Sequence, residues 1–252
     1  MMLLYLAATH DCNLRCVYCY ARGGERKDYM SFSTARKVIE KYYDNEVKVQ
    51  FTGGEPLLNY KLIKRLAEKY DVEFSIQTNA TLLDAEKIEE MLELGISIAV
   101  SIDGPQKIND KLRPYADGRG STIDVLRAMM LLKSYNVDYG VTCVVTPYNE
   151  RYLREFVDMI YAFGARSVSF DVVKPVGRGK NIPQPNVSYI TDAINYAKAS
   201  GYKLRFRNVL KEMLNLRCAA MNGRAVFVAP NGEEIFSCPT LAYSKGKCPR
   251  FC

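Results

Sequence analysis

The sequence predicts an α/β protein built on an open, curved, mostly parallel sheet of six β/α units, with a small β-hairpin module after it. Three observations carry this. Strand-like apolar runs alternate with helix-like stretches from residue 3 to residue 200, which implies parallel strands joined by right-handed crossovers. Six such units are too few for a closed eight-fold barrel. After residue 201 the alternation stops and a hairpin signal with flanking cysteines takes over.

The elements follow in order. The apolar runs LLYLAAT (3–9), VKVQF (47–51), VEFSIQT (72–78), ISIAVSI (96–102), VDYGVTCVVT (137–146) and ARSVSFDVV (165–173) read as strands. Helices are expected at roughly 31–44, 59–70, 84–94, 121–135, 149–163 and 188–200. The first of these opens on capping Ser and Thr residues and repeats apolar residues at helical spacing. The third has Asp84 at its N-cap and Gly95 at its C-cap. KPVGRGKNIPQPN (174–186) is a Gly- and Pro-rich loop. RAVFVAPNGEEIFSC (224–238) is two strands about an Asn-Gly turn. The expected division is a core at 1–207 and a cysteine-rich module at 208–252.

Composition narrows the chemistry. With 252 residues, 48% of them apolar, the chain can bury one large core. There is no run of eighteen apolar residues, so no membrane span is expected. The start, MMLLYLAATHDC, reads as a buried strand, not a signal peptide. A cytoplasmic location is expected, in which eight cysteines would not be a disulfide framework. The net charge of +7 is spread along the chain, without the basic, aromatic-interleaved stripe of a nucleic-acid binder. The single histidine, His10, excludes Ser-His-Asp and HExxH chemistry, so proton transfer falls to carboxylates, Lys, Tyr or Cys.

Ligands of parallel sheets bind beyond the carboxyl ends of the strands, and the unusual polar residues gather there. Cys12, Cys16 and Cys19 follow the first strand, TGGEP (52–56) the second, Gln77 to Asn79 end the third, SIDGP (101–105) the fourth, and Asp171 and Lys174 the sixth. Three closely spaced thiolates suit a cubane iron–sulfur cluster with one iron lacking a protein ligand. A zinc knuckle recruiting His10 or Asp11 is the alternative. In GGEP, two glycines allow close backbone approach, and Glu55 with nearby carbonyls suits an ammonium group.

The CxxxCxxC spacing of CNLRCVYC, with FTGGEPLLN, QTNATLL and SIDGP, resembles the radical S-adenosylmethionine (SAM) superfamily from Met1 to about Pro175 and again near Cys218. The resemblance implies a partial (β/α)6 barrel. Cys12, Cys16 and Cys19 would ligate a [4Fe-4S] cluster, and the cofactor's methionine amino and carboxylate groups would chelate the fourth iron. Tyr18 matches the residue whose backbone meets the adenine. Gly53, Gly54 and Glu55 match the ammonium-binding motif. Ser101 and Asp103 match polar residues near the ribose and the reaction centre, with Gln77 and Asn79 lining the same cavity. Arg113 is read as a partner for the cofactor carboxylate or as a surface arginine.

The implied chemistry is one-electron cleavage of SAM, with electrons from a donor such as ferredoxin or flavodoxin, followed by hydrogen-atom abstraction from the substrate. Asp103, Asp171 and Lys174 are the candidate catalytic groups for the accompanying proton transfer, with a tyrosine as the alternative. Arg178, in VGRGK, is read either as reaching an anionic substrate group or as a solvated loop arginine. Cys143 lies mid-strand and is read as a buried apolar residue.

Cys218, Cys238, Cys248 and Cys252 form a second set around the hairpin, suited to a fully coordinated cluster or to structural zinc. CAAMNGRAVFVAPNGEEIFSC is similar to the start of the SPASM and twitch extensions of peptide-modifying radical enzymes. That resemblance implies one auxiliary [4Fe-4S] cluster in a twitch-type module. The expected substrate is a peptide or protein side chain, oxidised or cross-linked, as in the sulfatase-maturase branch. A small-molecule dehydrogenase is the alternative, and a non-catalytic iron–sulfur or zinc protein the third reading.

Overall fold

The computed structural model describes residues 2–43, 46–207, 223–235 and 238–244. β1 (Met2–Thr9), β2 (Val47–Gly53), β3 (Glu73–Thr78), β4 (Ser97–Ser101), β5 (Gly140–Val145) and β6 (Ser167–Val172) are the six expected strands. They alternate with α1 (Phe32–Tyr42), α2 (Tyr60–Ala67), α3 (Ala85–Glu93), α4 (Gln106–Leu112), α5 (Thr122–Ser134), α6 (Leu153–Ala162) and α7 (Ser188–Ala199). β7 (Arg205–Arg207), β8 (Ala225–Val228) and β9 (Glu234–Ile235) complete the described sheet. Its order is β7-β6-β5-β4-β3-β2-β1-β8-β9. Each neighbouring pair is parallel except β8–β9.

Alternation along the strands decides what each face carries. Phe74, Ile76 and Thr78 of β3, Ile98 and Val100 of β4, and Val141, Cys143 and Val145 of β5 are buried. The residues between them, Gln77, Ser101 and Thr142, point to the opposite face and form a polar ladder. Gln77 Nε2 donates to Ser101 Oγ (2.7 Å), and Thr142 Oγ1 donates to Gln77 Oε1 (3.1 Å). Helix ends fall where the sequence places them. Ser31 and Asp84 cap α1 and α3 by accepting from the Thr34 and Lys87 amides. Gly95 takes φ +66° just past α3, where a Cβ would be strained.

β7 and α4 escape the sequence pattern. β7 has only three residues. α4 buries Asn109 alongside Leu112, and a polar residue on the inner face hides helical periodicity. Asn109 is there to anchor: its Oδ1 accepts from the Asp103 amide (3.0 Å) and its Nδ2 donates to Thr122 (2.9 Å).

The hairpin expected within the 208–252 module lies, in its described part, in the same sheet as the core. β8 pairs parallel with β1, Leu4 opposite Val226 and Leu6 opposite Val228. Glu234 on β9 also meets α1, accepting from Lys41 Nζ (2.8 Å) and Tyr42 Oη (2.6 Å). Partial burial works to raise the Glu234 pKa, but the two hydrogen bonds outweigh it and hold the carboxyl below its ordinary 4.5. A depressed folded-state pKa contributes stability that is present above 4.5 and lost as pH falls through the folded value. The difference in unfolding free energy between wild type and Glu234→Gln is therefore expected to be constant above pH 5 and to shrink below 4.5. Urea melts across pH 3.5–7 measure it, and a pH-independent difference would contradict the account.

No described helix is long and apolar enough to cross a membrane.

Candidate active site at the carboxyl rim

The loop after β1 is built against the turn after β2. The Gly54 amide donates to Thr9 O (2.7 Å) and the Glu55 amide to Asp11 O (2.8 Å). A Cβ on Gly54 would overlap the Asp11 carbonyl oxygen and come within 2.7 Å of His10 O, and a Cβ on Gly53 would overlap Thr9 O. These glycines are thus required by contact of two backbones, a tighter constraint than approach to a ligand alone.

Glu55 is 1% exposed. Its carboxylate accepts from Leu57 N (3.0 Å), Thr78 Oγ1 (2.6 Å) and Asn79 N (2.8 Å). Burial nevertheless raises its pKa, with those three donors opposing the rise. A carboxylate has about four acceptor sites, so one remains for an ammonium proton. Asn79 reaches the cysteine loop, donating to Asn13 Oδ1 (2.9 Å) and lying 3.9 Å from Cys12 Sγ.

Cys12, Cys16 and Cys19 are free thiols on one loop. A Cβ placed on Gly23 would be 3.2 Å from Cys12 Cβ and 3.8 Å from Cys19 Sγ, so those two side chains flank a single point. The Leu14 amide points at Cys12 Sγ and the Gly23 amide at Cys19 Sγ, each at 3.4 Å. Burial first, then the charges of Glu55 and Cys16, push the Cys12 pKa up to about 12. Burial likewise raises Cys16 to about 11, against the opposing guanidinium of Arg113. Such sulfurs give up their protons to a centre that brings positive charge, and the amides aimed at them suit thiolates held by iron.

The zinc-knuckle alternative fails on its fourth ligand. His10 Nδ1 lies 2.8 Å from the Asp28 carboxylate, and its Nε2 lies 2.8 Å from Arg26 Nη2, which can only donate. Asp11 accepts from the Cys12 amide and from Tyr29 Oη. Both residues are committed elsewhere.

Beneath the loop is a buried triad. Tyr18 Oη donates to Asp103 Oδ2 in a short hydrogen bond and accepts from Arg113 Nη1 (2.6 Å). Arg113 is 7% exposed, so it is no surface arginine. Its Nη1 is 3.6 Å from Asp103 Oδ2, and its Nε is buried without a hydrogen-bond partner among the described residues. Asp103 also accepts from the Val144 amide (2.8 Å). Burial raises the Asp103 pKa, and the Arg113 charge is the largest opposing influence. Its carboxylate is engaged on both oxygens, an arrangement suited to holding Tyr18 and Arg113 in place.

The β6 end supplies the opposite wall. Ser169 Oγ donates to Asp171 Oδ1 (3.2 Å). Lys174 Nζ is buried and has no hydrogen-bond partner among the described residues. Burial raises the Tyr20 pKa well above its ordinary value, helped by the charges of Tyr243, Cys19, Cys238 and Asp171. The Tyr20 and Tyr243 rings are 5.6 Å apart. Cys218, Cys248 and Cys252 lie outside the described residues.

Two positions carry more structure than their sequence suggests. Arg178 is neither solvated nor aimed outward: it binds the cysteine loop through its backbone and side chain. The glycines on either side of it are the sequence signal of that close approach. Asn149, given no role in the sequence, donates to Asp103 O (2.8 Å) and Val144 O (3.0 Å), and its Oδ1 accepts from the Thr146 amide. A lone asparagine at a helix start leaves no such signal.

Comparisons with known proteins agree with this site. Residues 6–160 match the model of the radical SAM superfamily. An uncharacterized protein of Methanocaldococcus jannaschii is 42% identical over 250 residues, covering 96% of this chain and 86% of that one. The serine-type anaerobic sulfatase-maturating enzyme of Bacteroides thetaiotaomicron is 33% identical over 177 residues, which is 63% of this chain and 43% of that enzyme, so this chain matches less than half of its length. Among solved structures, native anSMEcpe with bound AdoMet superposes with a TM-score of 0.76 over 95% of this chain and 75% of that one, at 19% identity. Streptococcus suis SuiB bound to precursor peptide SuiA gives 0.76 over 96% and 60%, at 15% identity. The fold is thus the partial-barrel α/β fold, the family brings a [4Fe-4S] cluster and SAM as its cofactors, and the chain is an enzyme that belongs to the radical SAM superfamily.

Proposed function

We propose that this enzyme abstracts a hydrogen atom from a peptide or protein side chain and oxidises or cross-links it. The observation that carries the reading is the loop of three thiols, Cys12, Cys16 and Cys19, seated on the Gly53–Glu55 turn with Asn79 beside Cys12. Bound there, a [4Fe-4S] cluster and SAM would supply one-electron cleavage and hydrogen abstraction.

The chain's own residues do the rest. Glu55 and the carbonyls around it receive the cofactor's ammonium group. Arg113, with its buried Nε unmatched, faces the carboxylate. Gln77 and Ser101 extend the polar wall toward the ribose, and Tyr18 meets the adenine through its backbone. Asp103 keeps Tyr18 and Arg113 in register. The unmatched Lys174 ammonium binds an anionic substrate group, because a buried cation without a partner favours one. Asp171, on the same rim, accepts the proton.

The peptide class is supported by two relatives. Sulfatase-maturating enzymes are among the chain's curated relatives, and SuiB has been solved with its precursor peptide. The 208–252 extension, with Cys218, Cys238, Cys248 and Cys252, is proposed to hold the auxiliary cluster, which would take an electron from the substrate radical. An iron–sulfur donor or flavodoxin supplies the reducing electron.

Anaerobic reconstitution tests the reading. Wild type is expected to bind about eight irons, as two cubanes, and to release 5′-deoxyadenosine from SAM under a strong reductant. Cys238→Ala is expected to retain about four irons and still cleave SAM. Iron equal to one zinc-like ion per chain, or no 5′-deoxyadenosine from wild type, would overturn it.

A further inference from the structure

The segment after β6 runs back across the cysteine loop. The Arg178 amide donates to Cys19 O (3.0 Å). Its side chain donates from Nε to Cys16 O (2.8 Å) and from Nη2 to Gly23 O (3.3 Å), and Nη1 pairs with Glu25 (3.0 Å). One residue thus grips the loop on both sides of Cys19.

The glycines flanking it make the grip possible. Gly177 has φ +63°, and a Cβ there would overlap the carbonyl oxygens of Cys19 and Tyr20. On Gly179 a Cβ would stand 2.9 Å from Tyr18 O and 2.7 Å from Lys174 O. Any larger residue at either position would lift the strap off the loop. The Arg178 side chain is only 20% exposed, so its charge acts in a partly dry setting beside Cys16.

Two consequences follow from the chemistry. Carbonyls of the loop that are tied to Arg178 cannot swing toward the sulfurs. The loop's conformation is then fixed before any metal arrives, which lowers the ordering cost of binding. A fixed positive charge near a sulfur ligand also favours the more negative, reduced form of a cluster.

We infer that Arg178, held by Gly177 and Gly179, is a positioning residue for the cluster: it preorganises the Cys16–Gly23 loop for the metal and raises the cluster's reduction potential. The inference rests on the cluster assignment proposed above. It also links the sites, because the strap begins at Lys174, so the substrate-facing rim and the cluster loop share one short segment.

The test compares wild type, Arg178→Gln, Arg178→Lys and Gly177→Ala as reconstituted full-length protein. The measured quantities are the rate of iron extraction by a chelator, the midpoint potential from an EPR-monitored redox titration, and the thermal unfolding midpoint. Arg178→Gln is expected to lose iron about tenfold faster, in the range typical of residues that orient metal ligands, and to titrate at a lower potential. Arg178→Lys keeps the charge but not the fork, so its potential is expected near wild type while iron loss stays fast. Gly177→Ala keeps the arginine but displaces the strap, so iron loss is again fast.

Wild-type potential and wild-type iron retention in Arg178→Gln would overturn the inference and leave the family chemistry intact. A lowered unfolding midpoint with unchanged potential and retention per folded chain would mean a merely structural arginine, and would also overturn it. Failure of wild type itself to take up a cluster would sink the assignment on which both readings stand.

Discussion

Cys16→Ser, reconstituted without oxygen, is expected to bind about four fewer irons than wild type and to form no 5′-deoxyadenosine. Cys16 is buried in a small apolar group with Leu14, Tyr18, Leu112 and Val173. A serine hydroxyl is a poor ligand for iron at neutral pH, since its proton is far harder to remove than a thiol's. Loss of the cofactor forfeits the whole rate enhancement, on the order of 10⁶-fold or more. The fold should survive, because the serine fills nearly the same space. Iron and sulfide analysis with product chromatography checks the first claim, and unchanged far-ultraviolet circular dichroism checks the second. Wild-type iron content in the variant would refute the assignment of Cys16 as a ligand.

Asp103→Asn has the largest expected effect on stability. Asp103 is fully buried and is the only described carboxylate ion-paired with Arg113. Removing its charge leaves the guanidinium buried and uncompensated, which typically costs about 3–5 kcal/mol. Tyr18→Phe removes one hydroxyl but leaves the charges facing each other, so its cost should be nearer 1–2 kcal/mol. Denaturant midpoints of the apo chains measure both. If the two variants were equally destabilised, the ion pair would not be the main contributor, and Asp103 would be better regarded as a hydrogen-bond acceptor only. The pair also bears on chemistry. Both oxygens of this carboxylate are engaged, by Tyr18 and by the Val144 amide, which is why Asp171 is the group proposed above to accept the proton.

The sequence by itself determined the sheet, the cap residues and the rim. Strand and helix periods are local properties, so apolar alternation at 47–51 or 96–102 and Asp84 before α3 can be read without neighbours. The cysteine spacing is equally local, and with GGEP, QTN and SIDGP it pointed to the chemistry. The tertiary structure decided who touches whom. That Gly54 lies against Asp11, that Arg113 is buried under Tyr18, that Arg178 grips Cys16 and that β8 lies beside β1 are contacts between segments 40 to more than 200 residues apart. A polar side chain looks the same in sequence whether it meets water or a partner. Its role is set by the desolvation and pairing that only the folded chain imposes.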